Sequence, residues 1–305
     1  MHKIAFVIPT KDRPIDLRRM LNSLVKQERK PEQIIIVDGS KPSIKNVVND
    51  FKKLNIDYIT MYPPSLAKQR NAGMALLKKD ITLAGYLDDD VVLEKDAIKN
   101  MLNFWNNAKP NTGGTVFNII NTQPAKWTRV KSLLFLDSPT PGKLLMSGCT
   151  SILGHQKNNI SVDWLCGGAT VWKREVIDKY KYDEWFKGIG YLEDVDFSFN
   201  VKNEYDLYLV SNAKLAHYSR PVNSEKYFVL GKWQIFNRMY IVKKYRYRGL
   251  SITKAWVATL GLIFLNLAIG LIKQDKNAIN KGLGNICGAY KQFMGKEEQL
   301  IEHLK

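Results

Sequence analysis

Acidic residues and cysteines are both scarce in this chain. Its 305 residues contain 29 Asp and Glu against 46 Lys and Arg, so the formal net charge is +17, and the three cysteines lie at positions 149, 166 and 287. This spacing matches neither a metal-ligand motif nor a disulfide framework, and no apolar signal segment precedes residue 3. We therefore expect a protein of a reducing, cytosolic compartment. The excess positive charge predicts an anionic partner, which is nucleic acid, anionic lipid or a phosphorylated substrate.

The first 105 residues alternate between short apolar runs and segments with helical periodicity. The apolar runs indicate β-strands over 3–9, 33–37, 56–61 and 83–87. The other segments predict helices that begin at Pro14 or extend over 42–54, 66–78 and 94–105. Such a βαβ series predicts an α/β fold with a mostly parallel, Rossmann-like sheet and right-handed crossovers. Hydrophobic residues form 45% of the chain, enough for one large domain or two small ones.

Acidic residues follow the predicted strands where the strands end. Asp12 and Asp38 come after the first two strands, and Asp88, Asp89 and Asp90 come after the fourth. The carboxyl ends of parallel strands share one edge of a sheet, where α/β proteins bind ligands. Adjacent carboxylates repel one another, and a divalent cation that bridges them to phosphate oxygens relieves this repulsion. The pattern favours a metal and nucleotide site; a solvated turn or helix caps are the alternative interpretations.

Basic and glycine residues add to this pattern. Lys68 and Arg70 lie in the early turns of the predicted helix 66–78 and offer charge-assisted hydrogen bonds to an anion, unless they form a solvated helix face. Gly167 and Gly168 remove side chains where a ligand can approach a strand closely, or they mark a β-bulge.

Seven motifs follow one another in an order that resembles a known enzyme family. They are Ile8-Pro9-Thr10, Val37-Asp38-Gly39-Ser40, Lys68-Gln69-Arg70-Asn71-Ala72-Gly73, Leu87-Asp88-Asp89-Asp90, Cys166-Gly167-Gly168-Ala169-Thr170-Val171-Trp172-Lys173-Arg174, Gly190-Tyr191-Leu192-Glu193-Asp194-Val195-Asp196-Phe197 and Ala216-His217-Tyr218. The series resembles the family 2 glycosyltransferases with the GT-A fold, over roughly residues 3–240.

The resemblance implies roles for these residues. It places Asp38 and Arg70 on the nucleoside, Asp88 near the ribose or base, and Asp90 on a metal ion, Mn²⁺ or Mg²⁺. His217 is a further metal ligand or a structural histidine, and neutral imidazole suits Mn²⁺ better than Mg²⁺. Whether Asp89 faces outward or shares the ion stays open at this point. The predicted set is Thr10, Asp12, Asp38, Lys68, Arg70, Asp88, Asp89, Gly167 and Gly168 for the sugar donor, Asp88, Asp90 and His217 for the metal, and Trp164, Trp172 and Tyr191 for the acceptor side.

Two acids late in the chain are the candidates for a catalytic base. Glu193 and Asp194 lie at the start of a predicted helix over 192–202, and a helix N-terminus favours the ionised form of an acid. Inversion requires one in-line displacement, with a carboxylate on the face opposite the leaving diphosphate. We predict that Asp194 is this base. Glu193 is the alternative base, because adjacent helical residues point in different directions; a third interpretation is that both acids only complement the helix dipole.

The last third of the chain is basic and contains one long apolar run. Residues 202–305 include 17 Lys and Arg against 7 Asp and Glu. An amphipathic helix is predicted over 227–245, four bases lie within 243–248, and the 18 residues 255–272 carry no charge. Because a membrane span needs ~20 residues, we predict peripheral or re-entrant association with the anionic cytoplasmic face of the cell membrane. A buried helix that closes the catalytic domain is the alternative.

These patterns predict a GT-A catalytic domain over 1–225 and a helical C-terminal region over 226–305. Within the catalytic domain, residues 1–120 form the nucleotide-sugar half and 121–225 the acceptor-side half, with a long loop or lid at 122–160. The predicted function is a metal-dependent, inverting glycosyltransferase of polysaccharide biosynthesis. It moves a sugar from a UDP-, dTDP- or GDP-linked donor to a polyprenyl-linked or other lipid-linked glycan, or to a cell-surface glycan. A nucleotidyltransferase and a basic nucleic-acid-binding protein are the alternatives; without a recognised nucleic-acid motif, we expect no nucleic-acid partner.

Overall fold

The chain folds into two compact units, each assembled from two separate stretches of sequence. The computed structural model describes residues 2–122, 127–188, 190–219 and 224–295. Among these residues, the first unit combines 2–122 with 153–188 and 190–219, and the second combines 127–152 with 224–295. Residues 127–152 therefore group with the C-terminal helices, whereas the predicted boundaries put them in the acceptor-side half. The apolar side chain of Leu134 explains this, since its Cβ lies 3.1 Å from the Cβ position of Gly261.

The first unit is built on one sheet. Its strands are β1 Ile4–Thr10, β2 Gln33–Asp38, β3 Ile56–Thr60, β4 Leu83–Leu87, β5 Val91–Leu93, β6 Thr112–Ile119, β7 Ile160–Val162, β8 Ala169–Lys173 and β9 Asp206–His217. They lie in the order β3-β2-β1-β4-β8-β6-β9-β5, and β7 also pairs with β9. The first four strands in this order are parallel to one another, and β8 is antiparallel to both of its neighbours. The predicted α/β architecture with a mostly parallel sheet is confirmed.

Helices connect and cover these strands. In chain order they are α1 Pro14–Val25, α2 Leu66–Met74, α3 Ala97–Asn106, α4 Arg129–Leu133, α5 Arg174–Lys179, α6 Glu193–Val201, α7 Ser224–Lys244, α8 Ile252–Lys273 and α9 Lys276–Phe293. Every residue of β1 and β2 is buried, as expected for parallel strands with both faces covered. Leu17, Met20, Leu21 and Leu24 of α1 are fully buried in the same core. This packing fixes the strand ends that hold the candidate site.

One predicted helix of the first unit is wrong. Residues 42–54 form only a short 3₁₀ helix, Lys45–Asp50. Five of the six residues in Lys45–Asp50 are Asn, Val or Asp, which have low helix propensity. In addition, the Asp38 carboxylate accepts hydrogen bonds from the backbone N–H groups of Ser40 and Ile44, which ties the segment to the end of β2.

The second unit packs its helices closely through glycines. A Cβ on Gly284 of α9 would lie 2.0 Å from the carbonyl oxygen of Phe228 in α7, and one on Gly231 would lie 2.3 Å from that of Lys281. Asn285 Nδ2 donates to the Gly231 carbonyl oxygen at 2.9 Å. Larger residues at these glycines would force the two backbones apart. Part of the predicted loop at 122–160 contributes α4 and an isolated β-bridge between residues 144 and 150 to this unit.

The α8 helix is apolar and largely uncovered. Within the described ranges it alone is long and apolar enough to cross a membrane, and 28% of its most apolar window is buried inside the protein. Leu260, Phe264 and Leu271 are 65%, 69% and 74% exposed and, at helical spacing, share one face. The predicted alternative of a buried closing helix is therefore wrong, since a buried helix would hide these side chains.

Candidate active site

The three consecutive aspartates lie between β4 and β5, and each has different neighbours. Asp89 is buried; its Oδ2 accepts a hydrogen bond from Thr10 Oγ1 at 2.7 Å, and its Oδ1 accepts one from Arg13 Nη1 at 3.0 Å. Burial raises the pKa of Asp89 to about 6, although Arg13 and Thr10 favour its ionised form. Asp89 therefore does not face outward. Its hydrogen bonds to Thr10 and Arg13 hold the loop in place beside Asp88 and Asp90.

Asp90 faces His217 at the end of β9. Its Oδ2 accepts a hydrogen bond from Arg13 Nη1 at 3.1 Å. Its Oδ1 lies 2.9 Å from His217 Nε2 but outside hydrogen-bond geometry, so this buried oxygen has no hydrogen-bond partner among the described residues. Burial opposes ionisation of Asp90, but His217 and Arg13 outweigh it and lower the pKa of the carboxyl. The same contact raises the pKa of His217.

Asp88, Asp90 and His217 form a set of possible metal ligands. Each offers one ligand atom, and these atoms all lie within 4.8 Å of one another. Two carboxylates and one imidazole suit a divalent ion such as Mn²⁺, and the Oδ1 of Asp90 that accepts no hydrogen bond is available to it. The residues present therefore fit a divalent cation at the carboxyl end of β4.

Gly167 and Gly168 make room for charged side chains of the site. A Cβ on Gly168 would lie 2.0 Å from Asp88 Oδ2, and one on Gly167 would lie 2.7 Å from Arg70 Nη1 and 2.9 Å from the Cβ of Asp194. The backbone also joins the two sides: Asp88 N–H donates to the Gly168 carbonyl oxygen at 2.9 Å, and Gly167 N–H donates to Asp194 Oδ2 at 3.0 Å. The pairing of β4 with β8 beyond this turn is regular, so the predicted alternative of a β-bulge is wrong.

Arg70 is fully enclosed, with 1% of its surface exposed. Its Nη1 lies 2.5 Å from Glu193 Oε1 and its Nη2 3.4 Å from Asp88 Oδ1. The guanidinium carbon lies 5.0 Å from the ring centre of Tyr182 and 5.5 Å from that of Tyr86. Protein groups surround the side chain, and the predicted contact between Arg70 and a nucleoside stays a prediction.

The two candidate bases occupy different environments at the start of α6. Glu193 is buried against Arg70, and burial raises the pKa of its carboxyl. Asp194 is partly exposed; besides the bond from Gly167, its Oδ1 accepts a hydrogen bond from Val195 N–H at 2.8 Å. Burial also raises the pKa of Asp194. Of the two residues, Asp194 is the one that is not fully buried.

The sequence model of the family described as "Glycosyl transferase family 2" matches residues 5–181, more than half of the chain. The chain belongs to glycosyl transferase family 2. The predicted resemblance and the predicted enzyme class, a glycosyltransferase, are confirmed. No curated protein matches the chain significantly in sequence.

Solved structures share the fold of this family 2 glycosyltransferase at low sequence identity. The mannosyltransferase PcManGT from Pyrobaculum calidifontis, in complex with GDP-Man and Mn²⁺, is 12% identical, with a TM-score of 0.57 over 97% of this chain and 88% of that one. S. aureus TarS 1-349 in complex with UDP-GlcNAc is 13% identical, with a TM-score of 0.53 over 95% and 92% of the chains. A further S. aureus TarS structure is 15% identical at a TM-score of 0.53, and the match covers 88% of this chain but 43% of that one.

Other residues predicted for the sugar donor are buried in hydrogen bonds with the protein or lie exposed on its surface. Asp38 is 1% exposed, and its carboxylate accepts hydrogen bonds from Ser40 N–H, Ile44 N–H and Tyr58 O–H, so it supports the turn after β2. Its predicted contact with the nucleoside stays a prediction. Asp12 is exposed in a left-handed conformation, with φ 55°. Lys68 is exposed and lies 3.9 Å from Glu184.

The aromatic residues predicted for the acceptor side differ in burial. Trp172 is fully buried, packs edge-on against Phe197 at 4.9 Å and donates to Thr170 Oγ1 at 3.0 Å. Its predicted acceptor contact is wrong, since it belongs to the core. Trp164 packs partly buried against that core, and Tyr191 is partly buried. A contact between these two residues and an acceptor stays a prediction.

Sequence reasoning missed Arg13. This arginine precedes α1 and reaches both Asp89 and Asp90, while about a third of its side chain, 37%, stays exposed. The available signal was its position: it follows β1 by three residues, on the same sheet edge as the aspartates. A basic side chain at a strand end indicates a site as an acidic one does, because its positive charge compensates the negative charge of the aspartate cluster.

Proposed function

We propose that this family 2 glycosyltransferase is metal-dependent and transfers a sugar from a nucleoside diphosphate donor with inversion. The observation on which this rests is that two sets of groups meet at one turn. Asp88 of the metal set and Asp194 each bond to the backbone of Gly167-Gly168. The complexes of similar structures with GDP-Man and Mn²⁺ and with UDP-GlcNAc support a UDP- or GDP-linked donor, and a dTDP-linked donor stays part of the proposal.

The donor end of the reaction belongs to the strand-end acids. Asp88, Asp90 and His217 would hold Mn²⁺ or Mg²⁺, which neutralises the charge that develops on the departing diphosphate. Asp89 and Arg13 keep the loop in place through their mutual contact, with Arg13 also bonded to Asp90. The chain thereby presents its carboxylates in a fixed arrangement before the sugar donor binds, and little free energy goes into ordering them.

The acceptor end belongs to Asp194. In one displacement, the acceptor oxygen forms a bond to the anomeric carbon, the bond from that carbon to the diphosphate breaks, and the hydroxyl proton passes to Asp194 Oδ. Two backbone N–H groups hold this carboxylate, which fixes its direction. Burial raises the pKa of Asp194, and a carboxyl with a higher pKa is the stronger base once it is ionised.

We further propose that the acceptor is a lipid-linked or cell-surface glycan and that the enzyme works at the cytoplasmic face of the cell membrane, peripherally or by a re-entrant helix. Residues 224–295 contain 12 Lys and Arg against 2 Asp and Glu. The exposed apolar face of α8 lies in the same unit. Each base near an anionic leaflet contributes about 1 kcal/mol, and apolar side chains add burial in the headgroup region.

The metal part of the proposal is tested by nucleotide binding. UDP and GDP are titrated into wild type, Asp90→Ala and the surface control Asp178→Ala, each with Mn²⁺ and with EDTA. We expect Asp90→Ala to lose the Mn²⁺-dependent gain in affinity and Asp178→Ala to keep it, because Asp178 pairs with Arg174 on the surface. An Asp90→Ala protein that binds both nucleotides as wild type does in Mn²⁺ would exclude this metal site.

The base is tested by kinetics on a panel of UDP-, dTDP- and GDP-sugars. Asp194→Asn is expected to keep nucleotide and Mn²⁺ affinity and to lose transfer by ~10²-fold or more. Near-normal transfer by Asp194→Asn together with an inactive Glu193→Gln would assign the base to Glu193. Near-normal transfer by both variants would refute a carboxylate base at the start of α6.

A further inference from the structure

We infer that Arg70 is a positioning residue, which holds Glu193 so that the next residue, Asp194, stays in place to accept the proton of the acceptor hydroxyl. The inference rests on the proposed role of Asp194 as the base. It assigns Arg70 and Glu193 to the geometry of transfer and removes both from contact with the substrate.

Charge balance is the first argument. Arg70 is buried and has two carboxylates within 3.4 Å, those of Glu193 and Asp88. Asp194 lies beside the same guanidinium, since the Cβ position of Gly167 is within 3 Å of both side chains. Without Arg70, the buried Glu193 would either carry an uncompensated charge next to two further acids or take up a proton, because burial and Asp194 already raise the pKa of its carboxyl. In both states the ion pair that holds the start of α6 against Arg70 is lost.

The backbone around Glu193 is the second argument. Gly190 and Leu192 both have left-handed φ angles, 75° and 71°, and Glu193 N–H donates to the Gly190 carbonyl oxygen at 2.8 Å. A Cβ on Gly190 would lie 2.9 Å from the Glu193 carboxyl carbon. The chain therefore folds around this carboxylate as it enters α6. Displacement of Glu193 from Arg70 would change that entry and carry Asp194 with it.

The shape of the guanidinium is the third argument. One nitrogen of Arg70 points to Glu193 and another to Asp88, while the carbon lies within 5.5 Å of the Tyr86 and Tyr182 ring centres. A planar, delocalised cation fits between aromatic rings and serves two acids at once, whereas the ammonium of lysine is a compact point charge. The link from α6 to the end of β4 thus requires arginine.

The experiment is a double-variant cycle of wild type, Arg70→Met, Glu193→Leu and Arg70→Met/Glu193→Leu. For each protein we measure the melting temperature and the affinity for UDP and GDP in the presence of Mn²⁺. We also measure kcat and KM with whichever sugar nucleotide of the panel the wild-type enzyme uses as a donor. Arg238→Met is the matched control, because Arg238 is also 1% exposed but bonds to the neutral groups of Cys149 and Thr259 in the other unit.

We expect Arg70→Met to lower both the melting temperature and kcat, with kcat reduced by about 10²-fold, the effect of a misplaced catalytic group. The double variant should regain the melting temperature, since no buried charge is left unpaired, but its kcat should stay low with KM near that of wild type. Arg238→Met should change the melting temperature without this loss of kcat. Arg70→Lys provides a second, charge-conserving variant if Arg70→Met does not fold, and it should also have a low kcat.

Three results would overturn the inference. Recovery of kcat together with stability in the double variant would make the ion pair structural only. A normal kcat in Arg70→Lys would show that the two-nitrogen geometry of the guanidinium is not needed. A loss of nucleotide affinity with unchanged kcat in Arg70→Met would restore Arg70 to the sugar-donor site. Failure of the proposed function is a separate outcome, because it appears as near-normal transfer by Asp194→Asn.

Discussion

Replacement of Gly168 by alanine should displace a metal ligand, Asp88, without replacing it. The added Cβ would lie 2.0 Å from Asp88 Oδ2 and 2.1 Å from its Cγ. An ordinary contact begins at 3.4 Å, so the carboxylate must retreat by 3.4 − 2.0 = 1.4 Å or the turn must shift by a similar amount. Asp88 N–H is bonded to the Gly168 carbonyl oxygen, so a shift of the turn also displaces Asp88.

The size of this displacement sets the expected effect. A hard divalent ion holds oxygen ligands at about 2.0–2.6 Å, so a movement of 1.4 Å removes Asp88 from coordination. Even partners that only orient a metal ligand are worth about 10- to 100-fold in affinity, and we expect the upper end here. In free energy, a 100-fold loss is about 2.8 kcal/mol.

The assay is a calorimetric titration of Mn²⁺ into a solution of the protein with UDP or GDP. Gly167→Ala is the matched control, since its Cβ would instead meet Arg70 and Asp194. We expect Gly168→Ala to lose Mn²⁺-supported nucleotide binding, and Gly167→Ala to keep binding but lose transfer. Wild-type Mn²⁺ affinity in a folded Gly168→Ala protein would refute the assignment of Asp88 as a metal ligand. Identical defects in both variants would refute the inference that Gly168 makes room for the metal site and Gly167 for the catalytic base.

Further substitutions test the scaffold, the membrane face and the third ligand. Asp38→Asn should lower the free energy of unfolding at pH 7 by about 1–3 kcal/mol, because a buried hydrogen-bond donor loses its acceptor. The folded protein lowers the pKa of Asp38 below its ordinary 3.8, so this contribution is present above pH 4 and vanishes as the pH falls through the folded-state pKa; urea unfolding at pH 7 and pH 3 measures it, and an equal difference at both would contradict it. Leu260→Ser/Phe264→Ser should reduce flotation with anionic phosphatidylglycerol vesicles, whereas Ile15→Ser, 75% exposed in the first unit, should not; equal flotation of both proteins would speak against α8 as the contact. His217→Ala should weaken Mn²⁺-supported more than Mg²⁺-supported binding of UDP, and an equal effect on both would exclude an imidazole ligand.

The strand-end positions of the site were predictable because they depend on local signals. Short apolar runs mark β1, β2 and β4, and parallel strands bring their carboxyl ends to one edge. The positions of Asp88 and Asp90 follow from these facts alone. His217 was not reachable in this way, since its place beside Asp90 depends on the pairing of β5 with β9 over 126 residues of chain (217 − 91).

The partners of individual side chains were not predictable, because they are set by distant contacts. Nothing near Arg70 in the sequence indicates that Glu193 encloses it, and Trp172 resembles any aromatic residue of a binding site until its neighbours are known. Asp38 appeared to be free for a ligand, yet its carboxylate accepts three hydrogen bonds, from Ser40, Ile44 and Tyr58. Polar residues of this kind have sequence patterns common to both ligand sites and satisfied cores.

Assembly of the second unit from residues 127–152 and 224–295 sets an order for folding during synthesis. The earlier stretch leaves the ribosome first, but Gly261, against which Leu134 packs, follows it by more than 100 residues. At about 5–20 residues per second, Leu134 and its apolar neighbours wait on the order of 5–25 s for α8. A nascent chain that stops at the end of β9 would never form this contact, so the apolar side chain of Leu134 would lack its partner in α8.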